Sequence, residues 1–305
     1  MRVAPLLPDA DMQLAAALAE DLGVAPAALL RVTPGLLEAD VTGSLLATDA
    51  MFSGVVRMRV AGVVCGLPVA ARAWEMLARA AAVEVPECFP LVAEGTAVEA
   101  GTAVLEVSGN ARVILAGERT ALDMVMVLSG IASRAAAWQD AAGPSLVLLD
   151  TRKTIPGLRL LSKYAVATGG ASNHRIGLFD MVLIKDNHIA AAGGIGSAVA
   201  AARAAHPDLR VEVEADTMAQ AAQAASAGAD VVLLDNMDDE TLVQAVAAVR
   251  AATPVGRTCL TEASGGVTFE RLCTLSKTGV DRVSAGALTF APPLDVGLDE
   301  ERDAR

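Results

Sequence analysis

Five side chains that can bind anions lie close together in this 305-residue chain: Arg152, Lys153, His174, Arg175 and Lys185. From Thr151 to Lys185, with Arg159 and Lys163, the Lys and Arg residues number six, and the only acid is Asp180. Elsewhere the balance is reversed, since 24 basic and 36 acidic residues give a formal charge of −12. Cations gathered without opposing acid are costly to bury. A small, multiply charged anion relieves that cost, with Arg forks matching carboxylates and Lys supplying a point charge. Nucleic acid is not expected as a partner, because phosphate-backbone binding needs a basic face.

Two carboxylates follow, Glu214 and Asp235, suited to a sugar hydroxyl pair or to a Mg²⁺ that neutralises a pyrophosphate. The plain alternative is a salt bridge to the basic cluster. Glu212 and Glu214 are expected on opposite faces of one strand, with a single one facing the interior. Ser264-Gly265-Gly266 reads as a phosphate cradle, where backbone N–H groups approach an anion and the following helix adds its dipole. Gly286 is placed to complete it. The stretch Gly193-Gly194-Ile195-Gly196 follows no strand directly and lacks the downstream acid of a dinucleotide loop. It reads as a loop with Ser197 at a helix start. His188 is assigned to loop packing and His206 to a surface turn before Pro207. Cys65, Cys88, Cys259 and Cys273 show no metal-ligand spacing and read as reduced, mostly buried thiols.

The elements that must position these groups are short apolar runs, each followed by a polar cluster and an Ala-rich amphipathic stretch, the rhythm of a parallel βα sheet. The runs are Leu146 to Leu149, Met181 to Ile184, Val211 to Val213, Val231 to Leu234, Thr258 to Leu260 and Val283 to Ala285. In an α/β barrel their carboxyl ends open onto one face, so the polar clusters would converge. The preceding part mixes helical periods, Leu14 to Leu22 and Pro68 to Val83, with strand-like alternation from Val55 to Val64 and from Val92 to Val107, where Gly95 and Gly101 mark turns. It is expected to be a separate α+β domain, joined through a helical Gly117 to Ser133. The charged tail from Asp299 is expected to be solvated. No apolar stretch reaches the roughly 18 to 20 residues of a membrane span, and Asp9 and Asp11 precede any long apolar region, so a cytoplasmic setting is expected.

From Asp150 to Arg159 the string Asp-Thr-Arg-Lys-Thr-Ile-Pro-Gly-Leu-Arg resembles the quinolinate phosphoribosyltransferase family. The likeness continues through Lys163 to Val166, Gly169 to Leu178, and Leu183 to Ile189. It also takes in Gly117 to Leu122, Leu128 to Gly130, Val211 to Glu214, Leu234 to Asn236 and Glu262 to Gly266, in the family's order. It covers nearly the whole chain and is densest from Gly117 to Gly286.

The resemblance implies an α/β fold, with an N-terminal α/β sandwich over residues 1–116, completed by 289–305, and an incomplete parallel α/β barrel over 117–288. It implies a homodimer that joins quinolinate to phosphoribosyl pyrophosphate, giving nicotinate mononucleotide, pyrophosphate and CO₂ in de novo NAD biosynthesis. Mg²⁺ is then required and an organic cofactor is not. By motif, Arg119 enters the partner's site, while Arg152, His174, Arg175 and Lys185 surround quinolinate. Lys153, Glu214 and Asp235 handle phosphoribosyl pyrophosphate and its Mg²⁺, and Ser264, Gly265, Gly266 and Gly286 bind the 5′-phosphate. The catalytic set is Lys153, Lys185, Glu214 and Asp235.

Three departures stand out. A loop separates Glu20–Gly23 from Asp40-Val41-Thr42, Phe290-Ala291 replaces the family's His-Ser, and Ala171 stands where a third Gly is frequent. A branch associated with molybdenum transport shares the Thr-Arg-Lys-Thr string and ranks second. Beyond the family, Lys185 at a strand end would suit a Schiff-base lyase, and the same cations would suit a non-catalytic phosphate binder.

Overall fold

The computed structural model describes residues 7–300. In chain order its first elements are helix α1 (Asp11–Leu22), strands β1 (Met51–Met58) and β2 (Gly62–Val63), helix α2 (Leu67–Ala81), strands β3 (Glu87–Pro90), β4 (Ala97–Val98) and β5 (Ala103–Asn110), and helix α3 (Ala111–Ala142). Then come β6 (Val147–Leu149), α4 (Arg159–Thr168), β7 (Val182–Ile184), α5 (Asp186–Ala191), α6 (Ile195–Ala205), β8 (Val211–Ala215), α7 (Met218–Ser226) and β9 (Val231–Asp235). The last are α8 (Asp239–Ala252), β10 (Leu260–Ser264), α9 (Phe269–Leu275), β11 (Arg282–Ser284) and β12 (Val296–Glu300).

By its contacts the chain divides into two compact units. The first runs as far as Ala135 and adds Ile155–Gly170 and the segment from Ala291; the second comprises Ala136–Thr154 and Ala171–Phe290. The boundary expected after residue 116 falls inside α3, and α4, expected in the barrel, belongs to the first unit. Two contacts explain the placement of α4. The Tyr164 hydroxyl donates to Glu94 at 2.8 Å, and Gly169 lies so close to α3 that an added Cβ would sit 2.2 Å from the Ala132 carbonyl oxygen.

The first unit holds an antiparallel sheet in the order β12-β1-β5-β3. Here β12 pairs with β1 from Gly54↔Glu300 to Met58↔Val296. Asp299, expected in a solvated tail, lies in this strand and accepts from Arg59 Nη1 at 3.1 Å. Glu300 ends the same strand, and residues 301–305 of that tail lie outside the described residues. Helix α3 starts where the Asn110 side chain accepts from the backbone N–H groups of Arg112 and Val113, the usual N-cap device. It ends at Gly143, whose φ of 76° allows a left-handed cap. By length and composition alone α3 could cross a membrane, yet more than half of its most apolar window is buried in the protein. Val113, Ile114, Leu122, Leu128 and Ile131 are among its buried side chains.

The second unit is built on six parallel strands in the order β6-β11-β10-β9-β8-β7. From β7 onward helices alternate with strands, as the βα rhythm requires. The edges β6 and β7 do not pair as strands, so among the described residues the barrel stays open there. The single bridge Leu149↔Ser172 spans part of that gap. One expected strand is misplaced. The run Thr258 to Leu260 marks only the approach, and the strand itself is Leu260–Ser264. Its polar Thr261 and Glu262 are fully buried, Thr261 bonding to Asp281 at 2.7 and 2.8 Å. Partners distant in the chain thus make polar residues tolerable inside a core strand. Helix α6 likewise begins at Ile195, with Gly194 before it, ahead of the expected Ser197.

Candidate active site

At the carboxyl ends of these strands the second unit has a cleft of about 410 Å³. Its lining includes Arg152 and Lys153 after β6, His174 and Arg175 before β7, Lys185 after β7, Glu214 on β8, Asp235 at the end of β9, and Ser264-Gly265-Gly266 at the end of β10. Every substrate-binding residue expected from the sequence is therefore in this cleft except Gly286 and Arg119. Gly286 lies against it, since a Cβ there would meet Lys153 Cδ at 3.1 Å and Thr151 Oγ1 at 3.5 Å. Arg119 is exposed on α3 in the first unit, paired with Asp123 at 3.1 Å. A larger hollow, about 600 Å³, lies in the first unit. It is not a comparable anion site, because its Arg72 is already paired with Asp11 and Glu75.

The electrostatics of the cleft follow from what its cations lack. Among the described residues no carboxylate lies within salt-bridge distance of the Arg152, Lys153 or Arg175 side chains, and the Arg152 Nε is buried without a hydrogen-bond partner. Burial, together with the charge of Arg152, lowers the proton affinity of Arg175. Such strain is what a bound polyanion would relieve. Lys185 differs, forming a salt bridge with Glu214, which is the plain alternative weighed for that carboxylate. Its backbone N–H donates to His188 Nδ1 at 3.0 Å, so His188 shapes the turn that presents Lys185.

Glu212 and Glu214 do not diverge as expected. Residues two apart on a strand share a face, and both carboxylates meet cleft residues, Glu214 reaching Lys185 and Glu212 reaching His174 at 3.1 Å. Glu262 lies 3.4 Å from the same His174 nitrogen, with Arg282 3.7 Å from its other oxygen. His174 is held from the other side as well, its backbone N–H donating to Asp150 at 2.9 Å. Sequence reasoning missed this arrangement under the cleft. Its signal was the pair of acids inside apolar strands, Glu212 and Glu262. The ligand atoms of His174, Glu212 and Glu262 lie within 4.8 Å of one another. A metal there would have to displace the imidazole proton beside Arg282, so the group reads as an ion-pair network.

Burial alone would make His174 less basic, but hydrogen bonds to Glu212 and Glu262, with their charges, push its pKa up to about 9. The Arg175 backbone N–H points at Nδ1 across 2.8 Å, a contact that suits a ring protonated at Nε2 only. We therefore assign the extra proton to the His174–Glu212 pair as a unit, Glu212 being raised by burial and by Glu262. A folded-state pKa above the ordinary 6.5 gives stability that is complete below pH ~6.5 and lost as pH rises through about 9. The thermal midpoint should thus fall between pH 6.5 and 9.5, by on the order of 1–3 kcal/mol of stability. Calorimetry across that range checks it; an equal slope in His174→Gln would assign the loss elsewhere.

The phosphate cradle also differs in detail from expectation. Gly265 and Gly266 have φ of 88° and 58°, which frees their backbone N–H groups to turn toward an anion. Helix α9 does not follow directly, as Val267 and Thr268 intervene, and it has only seven residues. What this segment offers an anion is loop backbone, with little help from a helix dipole. For the expected Mg²⁺, Glu214 and Asp235 offer hard carboxylate oxygens in one cleft. That donor set fits an ion held by one or two carboxylates and by substrate phosphates.

Comparison with known proteins agrees with this architecture. Residues 40–129 match the N-terminal domain, and residues 131–299 the C-terminal domain, of quinolinate phosphoribosyl transferase. The chain is 43% identical over 245 residues to a probable nicotinate-nucleotide pyrophosphorylase (carboxylating) of Synechocystis, covering 79% of this chain and 80% of that protein. It is 45% identical over 210 residues to the human nicotinate-nucleotide pyrophosphorylase (carboxylating), covering 67% and 70%. The crystal structure of NadC from Streptococcus pyogenes superposes with a TM-score of 0.84 at 34% identity, covering 98% of this chain and all of that one. With both domain models matched in order and the basic cleft where the strands end, the chain belongs to the quinolinate phosphoribosyl transferase family.

Proposed function

We propose that this protein transfers the phosphoribosyl group of phosphoribosyl pyrophosphate to quinolinate and decarboxylates the adduct, giving nicotinate mononucleotide, pyrophosphate and CO₂ in NAD biosynthesis. The observation that carries the reading is the convergence of Arg152, Lys153, Arg175 and Lys185, three of them lacking a carboxylate partner among the described residues, in a cleft that also holds the Gly265-Gly266 loop. Quinolinate brings two adjacent carboxylates and the donor brings phosphates, so each charge has a complement.

In this reading Arg152 and Arg175, with Lys185, orient the dicarboxylate so that the ring nitrogen faces the ribose C1. Lys153 and the loop backbone hold the donor. Departure of pyrophosphate leaves positive charge on the ribose, and the nitrogen lone pair forms the new C–N bond. Positioning and electrostatics supply most of the acceleration. Mg²⁺, when bound by Glu214 and Asp235, would neutralise the leaving pyrophosphate. Breaking the C2–carboxylate bond leaves an electron pair on C2 beside the quaternised nitrogen, where it takes up a proton. The imine-forming alternative needs Lys185 as a free amine, whereas the structure gives it Glu214 as a partner.

We read the working form as a homodimer that shares Arg119 between sites, a role supported by its exposed place on α3. The setting is read as cytoplasmic, supported by four free cysteines. Incubation of purified protein with quinolinate, phosphoribosyl pyrophosphate and Mg²⁺ should yield nicotinate mononucleotide and pyrophosphate together. Nicotinate run in parallel should be a poor substrate, and preference for it would overturn the assignment.

A further inference from the structure

Asn236 is one of two non-glycine residues with positive φ among the described residues, at 54°. The other, Ala82, caps α2 and has no polar side chain. Left-handed backbone is unusual outside glycine, and Asn tolerates it best. What this conformation achieves can be seen in three contacts. The Asn236 amide donates to the carboxylate of its own neighbour Asp235 at 2.6 Å. Its backbone N–H donates to the Ser264 carbonyl at 2.9 Å. Its side-chain oxygen occupies the space beside Gly265, where a Cβ would be 2.1 Å from it.

One residue therefore ties the carboxylate ending β9 to the glycine loop ending β10. These strands are already paired in register, Ser264 opposite Asp235. Register fixes the two backbones, yet it leaves the Asp235 carboxylate free to rotate and the loop after Ser264 free to lift. The Asn236 contacts remove both freedoms. The contact with Gly265 also gives that glycine a second reason to lack a side chain, beyond its φ of 88°.

We propose that Asn236 is a positioning residue for the sugar-phosphate donor: it holds the Asp235 carboxylate and the Ser264-Gly265-Gly266 loop at the separation that ribose hydroxyls and a 5′-phosphate require. The inference rests on the phosphoribosyl-transfer reading and extends it to a residue that touches neither reacting atom. It predicts a selective defect, because the quinolinate-binding cations Arg152, Arg175 and Lys185 lie after β6 or on either side of β7, not at the ends of β9 and β10.

The test uses Asn236→Gly, which accepts the left-handed backbone and deletes the amide, and Asn236→Asp, which keeps the shape but sets a second carboxylate against Asp235. Ribose 5-phosphate serves as the probe in calorimetric titration of the whole protein. Its affinity should fall about tenfold in the glycine variant and further in the aspartate variant, in line with one lost charge-assisted hydrogen bond and one added repulsion. In turnover, KM for phosphoribosyl pyrophosphate should rise with it while KM for quinolinate stays within about twofold. Wild-type affinity in the glycine variant, or equal weakening toward both substrates, overturns the inference. If Asn236→Gly melts early, the aspartate variant decides. A wild-type protein that binds ribose 5-phosphate but forms no nicotinate mononucleotide sinks the transfer reading and leaves the titration to judge Asn236. If wild type forms product without binding ribose 5-phosphate, the two KM values decide for Asn236, and neither binding nor product sinks both.

Discussion

Lys185→Ala and Arg175→Ala should each lower kcat/KM by about two to three orders of magnitude while leaving the fold intact. The size is that expected when a group aimed at developing or bound charge is removed from a preorganised site. The stability side of the prediction comes from the contacts. The Lys185 side chain is 45% exposed and its partner Glu214 only partly buried, so truncation removes one surface-type ion pair, worth roughly 0–1 kcal/mol. Arg175 lacks a carboxylate within salt-bridge distance among the described residues and has its proton affinity lowered by burial and by Arg152. Its removal relieves a like-charge contact, so the melting temperature of Arg175→Ala should hold steady or rise. Stability surrendered for binding is a common feature of active sites. Differential scanning calorimetry alongside steady-state kinetics separates the outcomes: activity and melting temperature falling together would make these side chains structural.

The two residues should also differ in which substrate parameter moves. Arg175 can grip a carboxylate with two parallel hydrogen bonds, so its loss should appear mainly in KM for quinolinate. Arg175→Lys should recover little, because a point charge cannot reproduce the fork.

The cleft was legible in the sequence because its chemistry is an imbalance that no local structure can hide. Arg152, Lys153, Arg175 and Lys185 had scarce acid around them in the chain, and among the described residues three of them still have no carboxylate partner. What was not legible depended on partners far away in sequence. Glu262 seemed to lie beyond its strand because a carboxylate inside an apolar run is improbable until His174 and Arg282 are known to meet it. Helix α3 was expected only from Gly117 to Ser133 but runs from Ala111 to Ala142, and Gly117 and Gly130 stand inside it. They are close-approach points, where added Cβ atoms would lie 2.8 Å from Trp74 and 2.2 Å from the Pro292 carbonyl oxygen. Asn236 was visible only as half of an Asp-Asn pair, and its left-handed backbone has no signature in residue type alone. The divergence expected of Glu212 and Glu214 was a misreading of strand periodicity, which the alternation rule itself corrects.

Two inactive variants should restore each other, and this is the sharpest consequence of the proposed dimer. Arg119 belongs to the first unit and, among the described residues, carries only an exposed pair with Asp123, 62% and 54% accessible. An exposed pair one helical turn apart contributes roughly 0.3–0.5 kcal/mol, so Arg119→Ala should fold normally. If Arg119 serves the partner's site, the variant should nevertheless be inactive. In a two-fold dimer each site would combine Arg119 of one protomer with Lys185 of the other. Mixing Arg119→Ala with Lys185→Ala then leaves one site with both defects and one with neither in every mixed dimer. Random exchange makes about half of the dimers mixed, so activity should return to roughly a quarter of wild type. Subunit exchange must be verified independently, for example by energy transfer between labelled protomers. With exchange demonstrated, a mixture that stays inactive would show that Arg119 acts within its own chain or takes no part in the reaction, and a rise to about a quarter would leave no arrangement but the shared one.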